Sequence, residues 1–140
     1  MNTSPSHERT LTDLDHARLT TLARRVHTSP VAHEADDIES ALEMARVVPS
    51  RSVAPDVVTM YSQVQLIDSA SGRRYRLTVC YPADAEPAAG YVSVLSPVGA
   101  SLLGLRVGAT ARWVTPAGEP GAAKVVAILF QPEASGDYTL

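Results

Sequence analysis

The chain has 140 residues and a mass of 14.9 kDa, enough for one ordinary domain with its own hydrophobic core. Its 12 Lys and Arg side chains against 15 Asp and Glu give a net charge of −3 and an isoelectric point near 5.7. This balance excludes a generic polyanion binder, and we expect no direct nucleic-acid binding. A single cysteine, Cys80, excludes an intramolecular disulfide framework and a thiolate-rich zinc site.

No stretch of the sequence approaches 18 consecutive apolar residues, and the polar N-terminus lacks the apolar segment of a signal peptide. We therefore expect a soluble, cytoplasmic protein with no membrane partner. The first ten residues, 1–10, are polar, and we expect them to be flexible.

Residues 11–49 have the hydrophobic period of two short amphipathic helices, which predicts a helical hairpin. Thr12 and Asp15 resemble a capping box for a first helix over about 12–27, and Asp36 is the predicted N-cap of the second. The apolar stripes of the two helices are Leu11, Leu14, Leu19, Leu22 and Val26, then Ile38, Ala41, Leu42, Ala45 and Val48. A linker, residues 50–55, follows.

From Asp56 onward the apolar period becomes two, which predicts β-strands. The predicted elements are a hairpin over 62–81, a brief strand over 91–95 and a second hairpin made of 110–115 and 124–130. We expect these elements to form a small antiparallel sheet domain over 56–130, followed by a C-terminal tail, 131–140. Helices followed by a sheet predict an α+β protein.

A short helix is predicted between the two hairpins. Ser96 is a natural N-cap and Pro97 a natural first helical residue, because its missing N–H and fixed φ suit the first turn. Either Gly104 or Gly108 would end this helix.

The sequence offers few groups for catalysis or metal binding. All four histidines, His7, His16, His27 and His33, precede the sheet domain, and no pair has the spacing of a helical metal site. The glycine-rich segment after residue 98 lacks the Lys-Ser/Thr sequel of a phosphate loop. We therefore expect no catalytic residues, no metal and no cofactor.

An acidic cluster, Glu34, Asp36 and Asp37, lies at the predicted tip of the helical hairpin. Clustered carboxylates on a protruding tip are the ligands that Mg²⁺ prefers. Capping of the second helix and favourable charge at its N-terminus account for the same residues, and we favour this second interpretation.

Four segments resemble the regulator of nucleoside diphosphate kinase family (Rnk), a relative of the Gre transcript-cleavage factors. They read DVVTMYSQVQL, VCYPADA, SVLSPVGASLLGLRVG and FQPEASGDYTL, and the N-terminal TDLDHARL agrees with the start of the family. The resemblance implies an FKBP-like, Gre C-terminal-type domain preceded by a short antiparallel coiled coil. It also implies a non-enzymatic transcription regulator that binds bacterial RNA polymerase near the secondary channel, with a link to nucleoside diphosphate kinase.

Related Gre domains use a serine-proline loop against the polymerase, so the resemblance assigns polymerase binding to Ser96, Pro97, Val98 and Gly99. It also implies competition with Gre factors by a protein whose arm is shorter. A helix of at most about 16 residues spans roughly 24 Å, about half the reach of a Gre arm.

Two alternatives to polymerase binding remain open. The chain could be a direct interaction partner of nucleoside diphosphate kinase. It could also be a small FKBP-like prolyl isomerase, in which case the aromatic side chains should line one pocket. Those side chains are Tyr75, Tyr81, Tyr91 and Trp113.

Overall fold

The computed structural model describes residues 9–27 and 36–137, which form three α-helices and seven strands. The helices are α1 (Asp13–His27), α2 (Asp36–Met44) and α3 (Pro97–Leu102). The strands are β1 (Arg9–Thr12), β2 (Ala45–Val48), β3 (Gln63–Asp68), β4 (Arg74–Cys80), β5 (Tyr91–Ser93), β6 (Thr110–Val114) and β7 (Pro120–Phe130). Among the described residues, no helix combines the length and apolar character needed to cross a bilayer.

Helix α1 begins where its capping residues predict. The Thr12 hydroxyl accepts a hydrogen bond from the backbone N–H of Asp15 at 3.0 Å, which satisfies one of the free N–H groups of the first turn. Leu19 and Ala23 are buried on one face of this helix, and Ile38 and Ala41 are buried on α2, which packs against it. The prediction of two packed amphipathic helices is confirmed.

The second predicted helix is wrong beyond Met44. Residues Ala45–Val48 form strand β2, which pairs in parallel with β1 from Arg9↔Ala45 to Thr12↔Val48. Two β-branched valines directly before a proline disfavour helix, and the unpaired edge of β1 supplies hydrogen bonds instead. The N-terminus is therefore ordered from Arg9, so the prediction of flexibility is wrong for residues 9 and 10; residues 1–8 lie outside the described part of the chain.

The larger sheet has five strands in the order β5-β4-β3-β7-β6. Three of its pairs are antiparallel, as predicted, whereas β5 pairs in parallel with β4. The connection between β4 and β5 runs through two 3₁₀ turns, Pro82–Asp84 and Pro87–Ala89, and this detour returns the chain in the same direction. The sheet is therefore mixed, and the predicted α+β class is confirmed.

One face of this sheet forms the core of the domain. Val64 and Leu66 of β3 and Val125 of β7 are fully buried there, together with Leu102 and Leu103 at the end of α3. The register between β3 and β7 shifts twice, and such bulges increase the local twist of a sheet. The resulting curl wraps the sheet around α3.

The segment after β7 is packed against the domain, so the prediction of a tail from residue 131 is wrong for its first part. Gln131 is buried, and its side-chain amide donates to the carbonyls of Ala54 and Val57 at 2.9 and 2.8 Å. The Thr59 hydroxyl donates to Glu133 Oε1 at 2.7 Å. These contacts also hold the end of the predicted linker against the sheet domain.

A buried carboxylate joins α1 to the sheet domain. Asp15 Oδ2 accepts from the backbone N–H of Met60 at 3.1 Å, and the side chain is almost completely inaccessible to water. Burial raises the pKa of Asp15 to about 6, with a further contribution from the nearby Glu133 carboxylate, while the Met60 hydrogen bond opposes the rise. The folded chain therefore binds the Asp15 proton more tightly than the unfolded chain does.

The substitution Asp15→Asn tests this junction. It keeps an oxygen for the Met60 N–H but removes the charge, so it removes the loss of stability that wild type suffers as pH rises from about 4 to 6. Between pH 4 and pH 7, we expect the free energy of unfolding of the variant to rise relative to that of wild type by up to about 3 kcal/mol. Urea unfolding of both proteins at four pH values measures the difference.

Asp13→Asn is the control of opposite sign. Hydrogen bonds from Ser50 lower the pKa of Asp13, so wild type should lose stability relative to this variant as pH falls. A free-energy difference between wild type and Asp15→Asn that does not change with pH would contradict the account of Asp15.

Candidate protein-docking groove

The predicted contact loop is the N-terminus of α3, and the sequence folds it as capping residues require. The Ser96 hydroxyl accepts from the Gly99 N–H at 3.1 Å and donates to the Ser93 carbonyl at 2.6 Å. Pro97 occupies the first helical position, as predicted. Of the two predicted terminators, Gly104 comes directly after the C-cap residue Leu103 and has a φ of +83°, a conformation that favours glycine.

Gly99 is required for packing. A Cβ atom at this position would lie 2.0 Å from the Ser93 carbonyl oxygen, so only glycine lets α3 lie this close to β5. Ser96 and Gly99 are thus committed to building the helix terminus. Val98 and Pro97 are both half-buried; Val98 packs against the core, and Pro97 lines a groove.

Pro97 lies at a groove of about 440 Å³ between α2, α3 and β6, which we call the α3 groove. Its lining includes Met44, Pro97, Ala100, Arg112, Trp113 and Val114. Met44 and Val114 are 69% and 60% exposed, which is unusual for large apolar side chains. The rest of the lining is polar, with Arg9, Ser40, Ser101 and Arg112, and such a mixture of exposed apolar and charged side chains is typical of a protein-docking surface.

Three further sets of contacts shape the α3 groove. The indole ring of Trp113 packs against Gly121 of β7, where an added Cβ would come within 2.4 Å of it. Arg9 crosses from β1 to the end of α3, and its Nη1 donates to the carbonyls of Ala100 and Leu103 at 2.7 and 2.8 Å. A cation at this end also complements the helix dipole. The backbone N–H of Thr10 donates to the Gly104 carbonyl at 3.0 Å.

Sequence reasoning missed most of this groove. Met44 was predicted within a continuous helix, and Arg9 within a flexible terminus. Local sequence patterns give little indication of these residues, because the groove is formed by elements that are distant in sequence. Of the four predicted residues, only Pro97 contributes to its lining.

The acidic cluster does not form a described site. Asp36 and Asp37 are the first two residues of α2, whereas Glu34 lies outside the described residues. Within residues 9–27 and 36–137, no three His, Cys, Asp or Glu side chains come together as a metal site would require.

The histidine His16 has a structural contact. Its Nε2 atom lies 3.2 Å from the Leu42 carbonyl and links α1 to α2.

The aromatic side chains do not share one pocket. Tyr91 is on β5 and Trp113 on β6, at opposite edges of the five-stranded sheet. Cys80 is buried, which raises the pKa of its thiol and disfavours the nucleophilic thiolate. Tyr81 contacts Tyr61 with ring centroids 5.8 Å apart, and Tyr75 packs against the core. The shared aromatic pocket that a prolyl isomerase would require is therefore not formed by Tyr75, Tyr81, Tyr91 and Trp113.

Known proteins share this sequence pattern and fold. The family described as "Transcription elongation factor, GreA/GreB, C-term" matches residues 53–130. The "Regulator of nucleoside diphosphate kinase" of Escherichia coli (strain K12) is 39% identical over 106 residues, which cover 76% of this chain and 78% of that protein. "Transcription elongation factor GreA" of Geobacillus kaustophilus is 34% identical over 91 residues, 65% of this chain and 57% of that relative.

The likeness extends to a solved structure. The "Prokaryotic transcription elongation factor GreA/GreB from Nitrosomonas europaea" superposes with a TM-score of 0.70 at 32% identity. The match covers 87% of this chain and 99% of that one, so it includes the N-terminal elements as well as the sheet domain.

Proposed function

Because the chain belongs to the regulator of nucleoside diphosphate kinase family, within the wider GreA/GreB family, we propose that it is a non-enzymatic transcription regulator that binds RNA polymerase. Relatives carry the names of a regulator and of elongation factors, which supports a regulatory role. Such a protein would act where the polymerase is, in the cytoplasm.

The observation that carries this proposal is the α3 groove. It joins the Pro97 end of α3 to the exposed side chains of Met44 and Val114, and it lies in the region where the resemblance expects the polymerase contact. The exposed Met44 and Val114 side chains would pack against a helix of the polymerase surface, and Arg112 would pair with one of its carboxylates.

The length of the helical hairpin fits a site near the secondary channel. Helix α1 has 15 residues and α2 has nine, so they span about 22 and 14 Å. Docked through the α3 groove, an arm of this length would occupy the channel entrance without bringing Asp36 and Asp37 to the catalytic Mg²⁺. Metal coordination requires contacts near 2 Å, so a short arm cannot contribute a ligand. The protein would then compete with longer Gre factors.

A second candidate follows from the name of the relative, which describes a regulator of nucleoside diphosphate kinase. In this case the α3 groove would bind that kinase directly. Co-purification with the tagged full chain distinguishes the two partners, because polymerase binding predicts recovery of its large subunits and the alternative predicts recovery of the kinase alone.

Substitutions in the α3 groove test the polymerase contact. Met44→Asp and Pro97→Asn place polar groups in the groove without altering a buried side chain, so we expect each to weaken polymerase binding at least tenfold with little change in thermal stability. Val107→Asp is the matched control, since Val107 is 40% exposed and lies outside the groove. Equal affinities for all three variants would contradict the proposed contact.

Transcript cleavage tests the short arm. We expect the protein to leave a backtracked elongation complex uncleaved and to inhibit cleavage by an added Gre factor. This inhibition should survive the double substitution Asp36→Ala, Asp37→Ala but disappear in Met44→Asp. Cleavage by this protein alone, lost on substitution of both aspartates, would show that the arm reaches the catalytic centre.

A further inference from the structure

One face of the five-stranded sheet is turned away from the core. Val64 of β3 is fully buried, so the alternate positions Gln63 and Gln65 lie on the opposite face. Strand pairing continues this face to Thr78 of β4 on one side and Phe130 of β7 on the other, both opposite Gln63. We call it the outer sheet face.

Cations cluster on the outer sheet face. Arg76 lies opposite Gln65, while Arg74 and Lys124 flank Ile67 from its two neighbouring strands. All three cationic side chains are exposed, and within the described part of the chain none of them makes an ion pair or a hydrogen bond. Their charge is therefore available to a partner.

The carboxylates near this face lie at its edges, where the exposed Glu86 pairs with Tyr91 beside β5. Asp68 carries the only carboxylate of the five strands; it pairs with the buried Ala123, and its side chain accepts from the Ser71 N–H and hydroxyl in the turn. At the far edge, Asp84 is engaged by the Tyr61 hydroxyl. The end of the outer sheet face that carries Arg74, Arg76 and Lys124 is thus positive although the whole chain carries −3, whereas the Tyr91 end also carries Glu86.

Two exposed aromatic rings stand at one end of this face. Tyr91, which pairs with Thr78, is 41% exposed, and Phe130 is 43% exposed. They line a cavity of about 330 Å³ together with Gln63, Thr78 and Tyr61. Three strand spacings separate β5 from β7, which places the backbones of the two aromatic residues roughly 14 Å apart.

We propose that the outer sheet face binds single-stranded RNA. Unpaired cations supply sites for phosphates, and Tyr91 and Phe130 supply ring faces on which bases stack. The side-chain amides of Gln63 and Gln65 make no hydrogen bond within the described residues, so they can contact base edges and the 2′-hydroxyl. Duplexes keep their bases stacked internally and cannot use the rings.

This site is distinct from the α3 groove and does not rest on the proposed polymerase contact. Its residues point away from the core, whereas α3 packs against the core side of the sheet. Such binding would depart from the expectation of no direct nucleic-acid contact, because that expectation rests on the net charge, which averages over faces that the fold separates.

Fluorescence anisotropy with a labelled twelve-nucleotide RNA of mixed A and U tests the proposal on the full chain. We expect the RNA to bind, and we expect the logarithm of its association constant to fall linearly with the logarithm of the salt concentration. The slope should be near −2, because about three phosphates are neutralised. The triple substitution Arg74→Gln, Arg76→Gln, Lys124→Gln should bring the slope close to zero. Tyr91→Ala and Phe130→Ala should each weaken binding about tenfold while leaving the slope unchanged.

Matched controls separate this site from general charge and exposure. Arg46→Gln removes an exposed cation from β2, and Val107→Ala removes exposed apolar surface from a turn; both should bind as wild type does. Thermal unfolding verifies that each variant is folded. DNA of the same sequence should bind several-fold more weakly than the RNA.

Four results would overturn the proposal. They are absence of RNA binding at low salt, an equal loss of affinity in Arg46→Gln, equal affinity for a duplex or for DNA, and displacement of RNA by oligoglutamate at equal charge concentration. The last would reassign the face to an acidic protein segment.

Discussion

Helix α3 is held at both of its ends, and the position of the candidate docking groove depends on this constraint. At its start, Gly99 lets the backbone approach the Ser93 carbonyl, and the Ser96 hydroxyl closes the first turn. At its end, Arg9 donates to two carbonyls of the last turn. A six-residue helix has little intrinsic stability, so these contacts fix it against the sheet. The groove therefore presents a preformed surface, which lowers the entropic cost of binding.

The same contacts connect the two halves of the chain. Strand β1 contributes Arg9 to α3 and pairs with β2, so the helical hairpin is anchored beside the groove. Asp15 adds a second junction through the Met60 N–H. The direction of the arm is thus set by the element that forms the groove, and a partner docked in the groove would encounter the arm in one orientation.

Local patterns in the sequence predicted the parts of the fold that depend on neighbouring residues. The Thr12 and Ser96 caps, the Pro97 helix start and the two hairpins are all confirmed, because capping and strand alternation are short-range. The β1–β2 pair was missed, since Ala45 and Val48 fit a helical stripe as well as a strand, and only the distant β1 decides between them. Gln131 was missed for the same reason, because its partners lie more than 70 residues away.

The candidate surfaces follow the same division. The contact at Pro97 is an expectation from the family resemblance, and the structure places this residue in the groove lining, whereas Met44 and Trp113 join the groove through tertiary packing. The outer sheet face was hidden because its cations come from strands separated in sequence, while acidic residues elsewhere balance the total charge. Composition describes the whole chain, and binding depends on how the fold distributes it.

Site-specific photocross-linking tests the central claim most directly. A photoreactive amino acid placed at position 44 should cross-link to a large subunit of RNA polymerase, and one placed at position 107 should not. Cross-linking to polymerase from position 107 alone, or from position 44 only to nucleoside diphosphate kinase, would contradict docking through the α3 groove.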